Sequence, residues 1–282
     1  MTVLPWAEDD AQEDNNDPWH LAIINCQINR NVRPYLNRKQ NVPTKPTTCI
    51  TSTGALAKST KLVLITADIE CGMPHTRPGK ICLPNPRPSQ KLMVHELVHI
   101  WQRSDPAQWN IWLYQTWQCF PITTPDAHTR DSLMERFNPD TFYAGWYAYR
   151  HRKKYILPLP ILKSETSRIT DTDVKFFSNF RRNNWGHPEI TPQTEITPGS
   201  PFASGIPTWL RGHQLEHPFE TAAYIIARWY EDAQPPQPHG SLIHTITPEN
   251  IQRQIGLLAA DNNSFSDFSD SPWGEDIERC SI

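Results

Sequence analysis

Two histidines and one glutamate in the segment His95-Glu96-Leu97-Val98-His99 have the residue types and the spacing that metal chemistry requires. Residues four apart in an α-helix lie on the same face, so both imidazole rings can bind one zinc ion at about 2.0–2.1 Å. Glu96 follows the first histidine and is suited to act as general base toward a zinc-activated water. The chemistry that this pattern predicts is attack of that water on an amide carbonyl.

The predicted zinc site needs a third protein ligand, because a catalytic zinc ion normally has three and keeps one position open. Gln102 and Asp105 stand where the metzincin pattern has glycine and histidine, which excludes that arrangement. We therefore expect a glutamate from a second helix, and Glu220 lies in the first turn of a helix that Pro218 should begin. A glutamate at a helix N-terminus is also stabilising without a metal. The other candidates are Glu216, His213 and His217.

The sequence does not indicate which residue would stabilise the oxyanion of such a reaction. Tyrosine hydroxyls are suitable donors, and the candidates are Tyr143, Tyr147, Tyr149 and Tyr224. Aromatic residues at such spacing serve packing equally well, so all four stay open.

Local signals predict the elements that position the motif. Ser89 is a suitable N-cap for a helix from Gln90 to about Arg103, before Ser104-Asp105-Pro106 ends it. Residues 61–69, rich in Val and Ile, and residues 80–83 are predicted to form a hairpin that leads into this helix. The helix that begins at Pro218 should run to about residue 232.

Further elements are predicted on either side. Asp17-Pro18 should begin a helix over about residues 18–32, with Leu21, Ile24, Ile28 and Val32 at helical spacing. The alternative is a strand that begins at Ala22-Ile23-Ile24. Helices are also predicted over about residues 127–137 and 248–258. Residues 47–56 favour a strand, residues 143–159 are ambiguous between strand and helix, and residues 183–207 are typical of a long loop.

The composition bounds the kind of protein. The chain has 282 residues, a formal net charge of -3, 27 prolines and 11 tryptophans, which indicates a loop-rich body with aromatic clusters. No basic patch with a readout motif is present, so no nucleic-acid partner is predicted. The N-terminus lacks the features of a secretory signal, and no apolar run could span a membrane. A cytoplasmic protein is the default expectation, with signal-independent export as the alternative.

The six cysteines include no CxxC pair, so neither a zinc ribbon nor a thioredoxin-type motif is predicted. Most are expected to be buried thiols. Cys71 and Cys82 flank the predicted hairpin turn and are a candidate disulfide in an oxidising compartment.

The segment His95-Glu96-Leu97-Val98-His99-Ile100-Trp101-Gln102 resembles the active helix of gluzincin-type peptidases. It is similar in particular to short bacterial gluzincins that read HELxHxxQ and have a later helix beginning with proline, an aromatic residue and glutamate. Pro218-Phe219-Glu220-Thr221-Ala222-Ala223 matches that later helix. The resemblance implies His95, His99 and Glu220 as zinc ligands and Glu96 as general base. This chain departs from the short family members in the long connection between its two helices.

The fold class expected is α+β and zincin-like: a small mixed β-sheet, an active-site helix and a second metal-ligand helix. Residues 1–17 are expected to be a disordered acidic tail, residues 18–232 the peptidase domain with an insertion at about 104–207, and residues 233–282 an extension with an acidic tail. An edge strand is expected to pair with a peptide or protein substrate. The predicted function is a zinc metallopeptidase, and the alternative is an inactive zincin-fold binding or scaffold protein.

Overall fold

Helices and small sheets alternate along the chain in the computed structural model, which has a mixed α+β fold. The structure describes residues 3–4, 17–26, 51–52, 56, 60–65, 70–85, 88–151, 154–165, 171–178, 181–182, 188–189, 195–196, 216–232, 246, 248–256 and 258–259. Within these residues the α-helices are Pro18–Asn25, Gln90–Ser104, Pro106–Trp117, Ala127–Ser132, Pro218–Asp232 and Pro248–Gln254. In this part of the chain, no helix combines the length and the apolar character that a membrane crossing requires.

The motif helix, Gln90–Ser104, carries the histidine motif in its middle turns. Ser89 caps its N-terminus, as predicted, by accepting a hydrogen bond from the Leu92 backbone N–H at 3.2 Å. Residues 93 to 102 are all buried, which explains why apolar residues occur on every side of this helix. The polar side chains among them must therefore find partners inside the protein.

The small sheet, which precedes the motif helix, contains parallel and antiparallel pairs. Its strands are, in spatial order, Val3–Leu4, Lys61–Leu64, Lys80–Leu83 and His75–Arg77. Lys61–Leu64 pairs in parallel with Lys80–Leu83, so the predicted hairpin between these two segments is wrong. His75–Arg77 is the antiparallel partner, and the turn between them ends at Gly79, whose φ of 67° suits a tight hairpin.

Parallel strands need a crossover connection, and part of it here is a short 3-10 helix, Glu70–Gly72. The strand predicted over residues 61–69 ends at Leu64. Cys71 lies in this crossover with a φ of 53°. No disulfide joins Cys71 and Cys82, so the candidate pair is not formed.

The N-terminal helix, Pro18–Asn25, begins as predicted and ends seven residues earlier than the predicted limit of 32. The Asp17 carboxylate caps it by accepting from the Trp19 backbone N–H at 3.2 Å. Leu21, predicted on the apolar face, is 42% exposed, whereas Trp19 and Ile23 are buried. The predicted positions Ile28 and Val32 lie outside the described residues.

Two parts of the predicted acidic tail contact the rest of the protein. Val3–Leu4 pairs in parallel with Lys61–Leu64, and Asp17 is fully buried in an ion pair with Arg77. The disorder expected over residues 1–17 stays a prediction. Residues 5–16 lie outside the described part of the chain.

The segment between the two predicted metal helices contains a five-stranded antiparallel sheet, the large sheet. Its spatial order is Glu195–Ile196, Thr172–Ser178, Lys154–Leu162, Trp146–His151 and Cys119–Ile122. The ambiguous residues 143–159 are therefore mostly strand. Pro158 and Pro160 obscured this pattern, and they are tolerated because the pairing of this strand with Trp146–His151 ends at Ile156.

Two helices of this segment differ from expectation. The helix predicted over residues 127–137 stops at Ser132, because Met134 adopts a φ of 58° and the Arg136 N–H bonds to the Pro160 carbonyl of the large sheet at 2.8 Å. Pro106–Trp117 was not predicted, although Asp105 caps it by accepting from the Gln108 N–H at 3.2 Å.

Smaller predictions are confirmed in part. The strand expected within residues 47–56 is limited, among the described residues, to Thr51–Ser52, which pairs with Leu258–Ala259. Pro188–Glu189 and Glu195–Ile196 are short strands inside the predicted loop over residues 183–207. The helix predicted over residues 248–258 ends at Gln254.

The Glu220 helix, Pro218–Asp232, has the predicted bounds. Its small residues Ala222, Ala223 and Ala227 are fully buried and belong to the same core cluster as the motif helix. Side chains of this size allow two helix backbones to approach closely, which brings their polar residues within reach of each other.

An aromatic cluster joins these helices to Pro106–Trp117. The ring centroids of Trp101 and Trp109 are 5.3 Å apart, and Trp109 lies 6.2 Å from Phe219 at the start of the Glu220 helix. Such rings bury large apolar areas and are rigid. The relative position of the two metal-site helices is therefore held by a third helix.

Candidate metal centre

Three buried side chains from two helices converge on one point. Nε2 of His99 lies 3.0 Å from Nε2 of His95, and Oε2 of Glu220 lies 3.4 Å from each of these nitrogens. This group could hold a metal ion, and it is the one group of its kind found among the residues that the structure describes. The third donor expected from the sequence thus lies beside the histidine pair.

The spacing of the donor atoms suits tetrahedral coordination. Ligands bound at about 2.0–2.1 Å in that geometry lie about 3.3 Å from one another. The observed separations of 3.0 and 3.4 Å fall on either side of this value. Two nitrogen donors and one carboxylate oxygen are therefore arranged so that they fit a small divalent cation.

Gln102 determines which nitrogen of His99 faces the site. Its amide nitrogen donates to the Phe219 carbonyl at 2.9 Å, so its Oε1 is the atom that lies 2.8 Å from His99 Nδ1. An amide oxygen can only accept, so Nδ1 carries the proton and Nε2 presents a lone pair when the ring is neutral. Gln102 also ties the motif helix to the residue before Glu220.

Asn138 holds the other oxygen of Glu220. Its Nδ2 donates to Glu220 Oε1 at 2.8 Å and to Glu216 Oε1 at 2.7 Å. Since Oε1 is engaged there, Oε2 is the oxygen directed toward the two histidines. Outer groups of this kind orient metal ligands.

The alternative third ligands have other partners or are not described. Glu216 lies 3.4 Å from Arg136 and accepts from Asn138. His217 Nδ1 accepts from the Phe219 N–H at 3.1 Å, so its Nε2 donates to the Gly145 carbonyl, also at 3.1 Å. Both ring nitrogens of His217 are thus engaged at the helix start. His213 lies outside the described residues.

Charge among these three side chains is concentrated on His99 and Glu220. Burial lowers the pKa of His99, but the carboxylates of Glu220 and then Asp140 outweigh it and raise this pKa to about 10. Burial raises the pKa of Glu220, and the charge of His99 outweighs burial and holds that pKa well below its usual range. A bound cation would replace the proton that this pair holds.

Glu96 is only 1% exposed and interacts electrostatically with His99 and Glu220. Its Oε2 has no hydrogen-bond partner within the described residues. Burial, followed by the negative charge of Asp140, raises the pKa of Glu96 well above its usual range. A nearby cation would act in the opposite direction and favour the ionised form.

The four tyrosine candidates for the oxyanion donor have different surroundings in the structure. The Tyr147 hydroxyl donates to Asn110 Oδ1 at 2.5 Å, and the Tyr143 ring lies 4.1 Å from the Arg103 guanidinium carbon. Tyr149 is buried in the main core cluster. Tyr224, one turn after Glu220, has its ring centroid 4.5 Å from that of His95. Tyr224 is therefore the candidate whose ring contacts His95.

Comparison with protein-family models, with curated proteins and with solved structures finds no match for this chain. The functional argument consequently depends on the site itself.

Sequence reasoning missed the roles of Gln102, Asn138 and Asp140. Gln102 follows His99 by three residues, and this helical spacing places both on one face, so its role could have been inferred. Asn138 and Asp140 lie in an irregular segment far from the motif. The contact of Asn138 with Glu220 spans 82 residues, and no local sequence pattern predicts a contact over that distance.

Replacing Gln102 by methionine should weaken the binding of a divalent metal ion by this group by about 10- to 100-fold, because His99 loses its orienting acceptor. The measurement is competition with a chromophoric chelator. Gln115→Met on the exposed side of Pro106–Trp117 is the matched control and should bind normally. Equal affinity of a folded Gln102→Met variant and wild type would contradict the orienting role.

Glu70 provides a prediction for stability. It is fully buried, both of its oxygens lack hydrogen-bond partners among the described residues, and burial raises its pKa from 4.5 to about 7. The unfolded state loses this proton near pH 4.5 and the folded state only near 7, so wild type loses stability as the pH rises through that window.

Glu70→Gln removes this pH-dependent loss. In metal-free protein, urea unfolding should show the variant about 3 kcal/mol more stable than wild type at pH 8, with little difference below pH 4.5. Glu165→Gln, at an exposed position, is the control and should follow wild type at both pH values. A constant difference across the window would refute the assignment to Glu70.

Proposed function

We propose that this protein is a zinc-dependent metallopeptidase with a zincin-like fold. The observation that carries the proposal is the convergence of His95, His99 and Glu220. The buried carboxylate of Glu96 is near enough to interact electrostatically with His99 and Glu220, and its Oε2 has no hydrogen-bond partner among the described residues. The arrangement of a motif helix between a small mixed sheet and a second ligand-bearing helix supports the zincin-like assignment.

Zinc is the metal that the donor set favours. Two imidazoles and one carboxylate in near-tetrahedral spacing leave a fourth position, as catalytic zinc sites do. Calcium and magnesium prefer sites built from oxygen alone and higher coordination numbers. The burial of all three ligands further favours an ion that requires few ligands and holds them tightly.

Each residue would have a separate task. His95 and His99 would hold the ion through Nε2, and Glu220 through Oε2, while Gln102 and Asn138 keep these atoms in place. When bound, zinc supplies Lewis acidity and lowers the pKa of a coordinated water. Glu96 would accept the proton of the attacking water on its carboxylate and deliver it to the leaving amine. The tilt of the His95 ring is restricted by Tyr224.

The substrate class proposed is a peptide or protein. One observation favours the alternative of an inactive metal-binding scaffold: the side chains of His95, His99 and Glu220 are only 9%, 0% and 4% exposed. A substrate of any size must reach atoms that are almost covered. The two functions differ in whether Glu96 matters for turnover.

The experiment is metal analysis of the purified full chain together with hydrolysis of a fluorescently labelled unfolded protein. We expect one zinc ion per chain, loss of hydrolysis on treatment with a chelator, and recovery with added zinc. A folded protein that does not bind one zinc ion per chain would contradict the proposed metal site. Zinc binding without any hydrolysis by any form of the protein would contradict the peptidase and favour the scaffold.

A further inference from the structure

The strand at one edge of the small sheet, His75–Arg77, is the strand expected to receive a substrate backbone. In an antiparallel ladder, alternate residues direct their N–H and C=O groups away from the partner strand. Thr76 lies opposite Ile81, and both of its backbone groups bond outside the sheet. Thr76 is therefore the residue of this strand whose backbone faces outward.

Both outward groups of Thr76 are occupied. Asp140 Oδ1 accepts from the Thr76 N–H and from its hydroxyl, each at 2.6 Å. Arg103, at the end of the motif helix, donates to the Thr76 carbonyl at 3.1 Å and also to the Pro139 carbonyl. The position of an incoming strand is thus filled by the chain itself.

The flanking residues leave no second donor on this side. Residues two apart in a strand face the same way, so the neighbours of Thr76 on the outward side are Pro74 and Pro78. Proline has no backbone N–H. From residue 74 to residue 78, the Thr76 N–H is the one outward donor, and Asp140 accepts from it.

The segment Asn138–Tyr143, which we call the strap, connects this edge to the metal site. Asn138 Oδ1 accepts from the Asp140 N–H at 2.9 Å, and the Asn138 carbonyl accepts from the Phe142 N–H at 2.8 Å. The same Asn138 side chain donates to Glu220. The strap is therefore a closed turn that is bound to the edge strand at Asp140 and to a metal ligand at Asn138.

We propose that the strap is an autoinhibitory element, which occupies the strand-pairing position beside the motif helix and keeps the protein latent until it is displaced. This inference rests on the proposed peptidase function. It accounts for the Asn138 contact with Glu220 and for a carboxylate on the one outward N–H of the edge. Displacement at Asp140 would free the Thr76 N–H and C=O for an extended polypeptide.

The test compares hydrolysis of the labelled unfolded protein by zinc-loaded wild type, Asp140→Ala and Thr76→Val. Asp140→Ala removes the acceptor of the Thr76 N–H. Loss of a hydrogen bond to a charged group shifts the equilibrium between the bound and the displaced strap by about tenfold or more, so we expect hydrolysis to be faster by at least that factor. Thr76→Val keeps the N–H and removes one of the two donors, so a smaller rise is expected. Hydrogen exchange at Thr76 should quicken in the same order.

Asp173→Ala is the matched control, because Asp173 is an exposed carboxylate of the same inserted segment and pairs with Lys163 on the large sheet at 3.7 Å. It should leave hydrolysis at the wild-type rate. An equal rise in this control, or no rise in folded, zinc-loaded Asp140→Ala while wild type is active, would overturn the strap proposal alone. No hydrolysis by any folded, zinc-loaded form would overturn the peptidase function and the strap proposal together.

Discussion

Glu220→Gln is expected to lower zinc affinity by about a thousandfold, the largest effect of any single substitution outside the histidines. The amide keeps the size of the side chain and removes the negative charge whose oxygen lies 3.4 Å from both imidazole nitrogens. The measurement is competition with a chelator of known affinity, combined with metal analysis after dialysis.

Glu216→Gln is the matched control for this substitution. Glu216 lies four residues before Glu220, is half-buried beside the same Asn138, and forms an ion pair with Arg136. We expect this variant to lose at most about tenfold in zinc affinity, because it alters only the surroundings of a ligand. If Glu220→Gln keeps full zinc affinity and Glu216→Gln loses it, Glu216 rather than Glu220 is the third ligand.

Glu96→Gln is expected to keep its zinc and to lose hydrolytic activity by about 10²- to 10⁴-fold. The amide has the same shape, so folding and metal binding should persist, but it cannot accept a proton from water. The readout is the hydrolysis rate of protein whose metal content equals that of wild type. If the strap keeps wild type nearly inactive, the comparison is made in the Asp140→Ala background.

This variant also separates the peptidase from the inactive scaffold. A scaffold has no turnover to lose, and a contaminating protease would be unaffected by a substitution in this chain. Hydrolysis that stays at the wild-type rate in Glu96→Gln would therefore show that Glu96 is not the general base. The hydrolysis assay and the metal assay must both be run on the same preparation.

Local signals were sufficient for the two helices of the candidate site. Ser89 and the apolar residues around the motif predicted Gln90–Ser104 closely, and Pro218 predicted the start of the Glu220 helix. Caps and helical periodicity depend on residues within a few positions of each other, so the sequence displays them directly.

Local signals failed where distant segments decided the outcome. The hairpin predicted from residues 61–69 and 80–83 is a parallel pair, because His75–Arg77 takes the antiparallel position beside Lys80–Leu83. The helix predicted over residues 127–137 ends early, because Arg136 bonds to the large sheet. In both cases the competing partner satisfies backbone groups that local propensity alone would have assigned to another element.

The sequence by itself predicted the donor types of the candidate site: the two histidines one helical turn apart, the adjacent Glu96, and a short set of candidates for the third donor. Only the tertiary structure brought Glu220 of that set beside the histidines, since helix packing across an interval of 121 residues, from His99 to Glu220, places its Oε2 3.4 Å from both imidazole nitrogens. The structure alone also revealed that Asn138 orients Glu220 and that Asp140 covers Thr76. The physical reason is that spacing along a helix is fixed by backbone geometry, whereas contacts between distant segments depend on how the whole core packs.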